Sequence, residues 1–227
     1  MVWADFKDLC LDARDPLLLG RFWAAALGLE LETLDDGDVV LRGPTPQHTV
    51  RVDAVPEPKT VKNRMHLDVH AGSVQELLDL GASVVGEQPR WTVMADPEGG
   101  EFCAFVREAP PPYRLHEVIL DCADPRAVAT WWAELLGGRF VDEGKDWCWV
   151  AGIPGAPFEA LVANPVPEPK SAKNRVHLDL VGDPARIVAH GATVVGEHPR
   201  WTVLADPEGN EFGVFPRALP QGVDLRP

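Results

Sequence analysis

The sequence has no run approaching the ~20 apolar residues that a membrane-spanning helix requires, and its 227 residues carry only 21 Lys and Arg against 35 Asp and Glu. A formal net charge of −14, with no basic stripe to offset it, argues against nucleic acid and other polyanions as partners. The first residues, MVWADFKDLC, place Asp5, Lys7 and Asp8 where an export leader would be apolar, so the expected location is the cytoplasm. Cysteine is scarce: Cys10, Cys103, Cys122 and Cys148, none in a CxxC pair. That excludes the usual structural zinc arrangements and points to reduced, semi-buried thiols. There is no glycine-rich phosphate loop and no GxSxG, and serine is too sparse to suggest a Ser/His/Asp set. The 22 prolines are scattered rather than gathered in a low-complexity tract.

What is present is a duplication. VPEPKTVKNRMHLD at 55–68 returns as VPEPKSAKNRVHLD at 166–179, 11 identities in 14 positions. GEQPRWTVMADPEGGEF at 86–102 returns as GEHPRWTVLADPEGNEF at 196–212, 14 in 17. LDARDP at 11–16 matches LDCADP at 120–125. A period near 110 is too long for a solenoid repeat and implies whole domains. The expected division is one domain over 1–108, a proline-rich linker over 109–112, a second domain over 113–217 and a tail over 218–227. No cysteine has a cysteine counterpart in the other copy, which weakens any mechanism needing a thiol in both.

Each copy reads β-α-β-β-β twice. Asp15-Pro16 and Asp124-Pro125 are helix starts. Leu19, Phe22, Trp23, Ala26 and Leu27 then form one apolar stripe, as do Val128, Trp131, Trp132, Leu135 and Leu136, with Gly28 and Gly137 as stops. Alternation in the preceding strands puts Leu9 and Leu11 on one face and Asp8, Cys10 and Asp12 on the other. Val118 and Leu120 likewise oppose Glu117, Ile119 and Asp121, and Leu67 and Val69 oppose His66, Asp68 and His70. Weaker strands are expected near 39–42, 48–55, 147–151 and 158–163, and the turn glutamates Glu98 and Glu208 are expected in solvent.

Taken in order and twice over, LDxxDP, the FW- or WW-bearing helix ending in LG, VPEPKxxKNRxHLD and WTVxADPEGxEF resemble the glyoxalase/bleomycin-resistance/dioxygenase superfamily, also called vicinal oxygen chelate proteins, in its glyoxalase-like branch. The resemblance spans roughly 5–107 and 114–216. It implies an α+β fold of two tandem domains, each of two βαβββ modules in an incomplete barrel around a pocket. In metal-dependent members, His, Glu or Gln from four strands hold a divalent ion, for which Fe, Mn, Ni or Zn would suit. Carried over by position, the first-strand ligand falls on Asp8 and Glu117, the module-two ligand on His66 and His177, and the remaining strand position near His48 and Glu159. The family's last-strand glutamate is missing: Cys103 and Gly213 stand there, with Glu101 and Glu211 two residues earlier.

Two readings follow. The missing glutamates favour a small-molecule-binding protein of the bleomycin-resistance type, not a standard glyoxalase I. It would hold an apolar or aromatic compound in a pocket of Trp91, Trp201, Glu101, Glu211 and Cys103, with no certain cofactor. The alternative is an enzyme, a lyase, isomerase or ring-cleaving dioxygenase, with His66 or His177 as base or with a metal on Asp8, His48 and His66 or on Glu117, Glu159 and His177. His66 and His177 could also be merely hydrogen-bonded cavity residues. Lys62-Asn63-Arg64 and Lys173-Asn174-Arg175 could meet an anionic ligand or serve as salt-bridge partners. A chain holding two copies could make internally the contact that single-domain relatives make by dimerising, so a monomer is expected.

Overall fold

A computed structural model describes residues 2–217; the tail expected over 218–227 lies outside them. The first copy runs β1 (Ala4–Ala13), α1 (Pro16–Leu27), β2 (Glu30–Thr33), β3 (Val39–Arg42) and β4 (Val50–Ala54), then β5 (Met65–Ala71), α2 (Val74–Asp79), β6 (Ser83–Glu87), β7 (Thr92–Ala95) and β8 (Glu101–Val106). The second repeats the order: β9 (Leu115–Cys122), α3 (Pro125–Leu136), β10 (Arg139–Val141), β11 (Cys148–Ala151) and β12 (Ala160–Pro165), then β13 (Val176–Gly182), α4 (Pro184–Ala189), β14 (Thr193–Glu197), β15 (Thr202–Ala205) and β16 (Glu211–Phe215). No helix among the described residues is long and apolar enough to cross a membrane.

The helices form where the pattern predicts. Asp15 caps α1 by accepting from Leu18 N, Asp124 caps α3 by accepting from Ala127 N, and each is followed by proline. Both helices stop at a left-handed glycine, Gly28 and Gly137. A side chain at Gly28 would also strike the carbonyl of Pro112, whose linker lies over this helix end. The aromatic stripe is core: Phe22, Trp23, Trp131 and Trp132 are all buried, in one apolar cluster with Leu9, Leu11, Val118 and Leu120. Burial of each such side chain contributes roughly 1.5–3 kcal/mol. The indoles keep a polar partner, Trp23 Nε1 donating to Asp96 and Trp132 Nε1 to Asp206.

The sixteen strands form two eight-stranded sheets, and each sheet takes one module from each copy. The first sheet is ordered β14-β15-β16-β13-β1-β4-β3-β2, the second β10-β11-β12-β9-β5-β8-β7-β6. The central antiparallel pairs, β1 with β13 and β5 with β9, therefore join the copies, while β4, β8, β12 and β16 flank them in parallel. The chain crosses between sheets at 55–64 and 166–175, the VPEPKxxKNR segments. These crossovers hold one another: Arg64 donates to the Glu168 carbonyl, Arg175 to those of Glu57 and Asp12. Lys62 pairs with Asp121 and Lys173 with Asp12. The Lys-Asn-Arg cations are thus salt-bridge and strap residues.

Two strands escape the sequence pattern. β2 is exposed to half-buried along its length and β10 has only three residues, so neither shows the alternation of a half-buried strand.

Candidate functional site

The sheets turn their apolar residues toward the helices and leave a polar row on the opposite face. In the first sheet Asp8 lies opposite Asp179, which lies opposite Gly213; one step along, His177 faces Cys10, which pairs with Arg51, and Asp12 pairs with Asp53. In the second sheet the corresponding rows are Cys103–Asp68–Glu117–Ala160, His66–Ile119–Val162 and Asp121–Asn164. Both first strands carry a register shift, between Phe6 and Asp8 and between Asp68 and Val69, which leaves Lys7 and His116 as inserted residues beside Asp8 and Glu117. Such a bulge re-aims a side chain. Lys7 Nζ lies 2.7 Å from Asp8 and 3.9 Å from Asp179, over the Phe215 ring.

The exchange of modules decides which predicted residues meet. Asp8 shares a sheet with His177, and Glu117 with His66. The sets Asp8, His48, His66 and Glu117, Glu159, His177, each confined to one copy, are therefore not gathered. His48 lies in a single 3-10 turn (Pro46–His48), its Nδ1 2.8 Å from the Thr45 hydroxyl and its ring edge-on to Tyr113. Glu159 precedes β12 and is mostly exposed, reaching His116. Glu101 and Glu211 are bound by Lys59 and Lys170 and by the backbone N–H of Asn63 and Asn174. Trp91 and Trp201 stack on Phe105 and Phe215 at 5.7 and 5.8 Å, half-buried beside the polar faces. Glu98 and Glu208, expected in solvent, instead accept the backbone N–H groups of Arg14 and Asp15, and of Ala123 and Asp124. The orphan donors ahead of each long helix attract the carboxylate.

The two faces differ electrostatically. In the first sheet, burial would depress His177, but the contact with Asp12 (3.5 Å) and the nearby Asp179 outweigh it and raise its pKa. Burial raises Asp179 to about 6 and also raises Asp8 against the pull of Lys7. In the second sheet burial pushes His66 down to about 4, and burial with the charge of Glu117 pushes Asp68 up to about 8. Burial also raises the Cys103 thiol, with Asp68 adding to it.

Neither face reproduces a four-strand His/Glu donor set. A Cβ on Gly213 would lie 2.2 Å from Asp179 Oδ1, so that carboxylate fills the place of the missing glutamate. In the second sheet His66, Asp68 and Cys103 bring donor atoms within 4.8 Å of one another, but from two adjacent strands. The family's metal arrangement does not fit the first sheet and is only partly matched in the second.

An open cleft of about 490 Å³ lies on the polar face of the first sheet, walled by Phe6, Leu34, Val40 and Val181 with Lys7, Asp8 and Arg51 among its polar groups. Asp8 Oδ1 is buried without a hydrogen-bond partner. A second cavity, about 20 Å³ and lined by Trp23, Lys59, Asp96 and Glu101, has room for about one water. Sequence reasoning saw Asp68 and Asp179 only as neighbours of the histidines, and missed Lys7 and His116.

Comparison with known proteins agrees with this architecture. A family model described as "Glyoxalase-like domain" matches residues 8–105 and again 117–215. Glyoxalase I from Zea mays is similar at TM-score 0.68 and 13% identity, covering 94% of this chain and 92% of that one. A protein of Bacillus subtilis provisionally called a dioxygenase is similar at TM-score 0.65 and 12% identity, covering 97% and 87%. The cppA protein of Streptococcus pneumoniae gives 0.52 and 9%, covering 94% and 98%. No curated protein sequence matches the chain.

Proposed function

The chain belongs to the glyoxalase-like domain family, and from that premise we propose that it is a small-molecule-binding protein of the bleomycin-resistance type. Its ligand carries an apolar or aromatic body and sits in the cleft of the first sheet. The observation behind this reading is that cleft. Its volume of about 490 Å³ falls among those of ligand pockets, which mix apolar walls with a few polar groups. Phe6, Leu34, Val40 and Val181 supply the apolar wall, and Lys7, Arg42 and Arg51 stand against Asp5 and Asp8 among its charged groups.

The test is calorimetric titration with a panel of aromatic amines and amidines beside neutral and anionic analogues of the same shape. Members of the panel bind at micromolar concentration, and Leu34→Asp, at a half-buried wall position, weakens them tenfold or more. No binding across the panel, or no effect of Leu34→Asp, overturns the reading.

The cluster of His66, Asp68 and Cys103 favours a second reading, an enzyme using the other sheet as a lyase, isomerase or ring-cleaving dioxygenase. Turnover lost in His66→Ala and retained in Asp8→Asn would select it.

A further inference from the structure

The bulge in β9 brings together two histidines that belong neither to the binding cleft nor to the positions carried over from the family. It places His116 beside His70 of β5, with Glu159 arriving from the segment before β12. The imidazoles stack at 4.4 Å with 30° between planes. Glu159 Oε1 lies 3.2 Å from His116 Nδ1 and 3.9 Å from His70 Nε2. One donor atom from each of the three falls within 4.8 Å of the others. His70 Nδ1 is buried without a hydrogen-bond partner, and His116 Nδ1 faces only the Glu159 carboxylate.

From this geometry we propose that His70, His116 and Glu159 form a binding site for one divalent transition-metal ion, which shares only Glu159 with the positions carried over from the family and takes its two imidazoles from elsewhere. Two imidazoles and a carboxylate suit Zn²⁺, Co²⁺, Ni²⁺ or Fe²⁺ and disfavour Ca²⁺ and Mg²⁺, which want oxygen. Donors bound ~2.0–2.2 Å from one ion stand roughly 3–4 Å apart, the separation that Glu159 already shows to both rings. The exposed Glu159 side chain can close on an ion with little strain. Glu117, next to His116 in sequence and close enough to both His116 and Glu159 to feel their charge, adds negative charge. Phe105 lies edge-on to His116 at 5.2 Å and Trp91 stacks on Phe105, so one side of the site is apolar.

The site is asymmetric. By the repeat alignment the first sheet carries Lys7, His48 and Val181 at these places, a set that includes an ammonium and an aliphatic side chain. This site therefore has no counterpart at the equivalent place in the first sheet, whose own donor cluster is Cys10, Asp12 and His177.

The test is titration of chelator-treated protein with Co²⁺ and Zn²⁺, followed by calorimetry and, for Co²⁺, by visible absorption. One equivalent binds with micromolar or tighter affinity. Glu159→Gln, at an exposed position where folding is safe, weakens it tenfold or more; His116→Ala and His70→Ala weaken it further. Cys103→Ser and His66→Ala leave the affinity and the Co²⁺ spectrum unchanged. A thiolate-to-cobalt absorption band lost in Cys103→Ser would put the ion on the inner cluster and overturn the proposal. Millimolar affinity, or no effect of Glu159→Gln in a protein that still binds an ion, would overturn it equally. Failure here leaves the cleft reading standing, because no cleft residue enters this test.

Discussion

At the scale of single residues, the two copies put different chemistry on equivalent positions. Gly213 and Cys103 replace the same family glutamate for different physical reasons: one is filled by the Asp179 carboxylate, the other presents a thiol to His66 at 3.9 Å. Restoring the acid by Gly213→Glu forces it against Asp179. Overpacking of this kind costs about 1–3 kcal/mol, read as a lowered urea midpoint. Gly213→Glu with Asp179→Ala recovers most of it. The paired histidines also part company. In chelator-treated protein, the expected outcome of NMR titration is a His66 that stays neutral down to about pH 4, depressed by burial. His177 gains its proton above the ordinary histidine value, because Asp12 and Asp179 overcome burial. Alternation made the facing sets containing Asp8, Asp68 and Glu117 legible, since period two is a property of any flat strand. It could not reveal Lys7 or His116, because an inserted residue breaks the period that the reading relies on.

At the scale of elements, the Asp96–Gly99 and Asp206–Gly209 turns are structural clamps. Glu98 bonds two backbone donors at the start of α1 while its side chain is 14% exposed. Hydrogen bonds to charged groups are worth about 1.5–3 kcal/mol each, so Glu98→Ala lowers stability by about 2 kcal/mol or more in chemical denaturation. Asp96 accepts from Trp23 Nε1 and from the N–H groups of Glu98 and Gly100, yet burial wins and raises it to about 6. A folded value above the unfolded one, ~3.9, means that the native state holds this proton more tightly. Its contribution is complete below about pH 4 and is lost as pH rises through about 6, for a total of about 2–3 kcal/mol. Carboxyl NMR titration of Asp96 and denaturation between pH 4 and 7 would measure both. The long helices were readable from cap, stripe and glycine stop; β2 and β10 were not, because an exposed edge strand needs no apolar alternation. The turn glutamates read as solvent residues because their backbone partners lie more than 80 positions away.

At the scale of the whole molecule, the duplication was plain in the sequence and the exchange of modules was not. Strand pairing between copies leaves no local signal, since both copies carry compatible strands. Each sheet needs β1 against β13 or β5 against β9, so one copy alone cannot complete a sheet. A fragment of residues 1–110 is therefore expected to be a dimer by light scattering at micromolar concentration. The same fragment mixed with residues 111–217 prefers the mixed complex. The strap segments 55–64 and 166–175 hold the exchange in place, and they are among the most alike stretches of the two copies. Inheritance follows a different partition from folding here. Each polar face is parented by both repeats, so a substitution in either half of the gene reaches only one wall of one face. Neither repeat can decay as a spare while its twin keeps a face whole. Each face thus has its own pair of walls, with Lys7 beside Asp179 on one side and His116 beside His70 on the other.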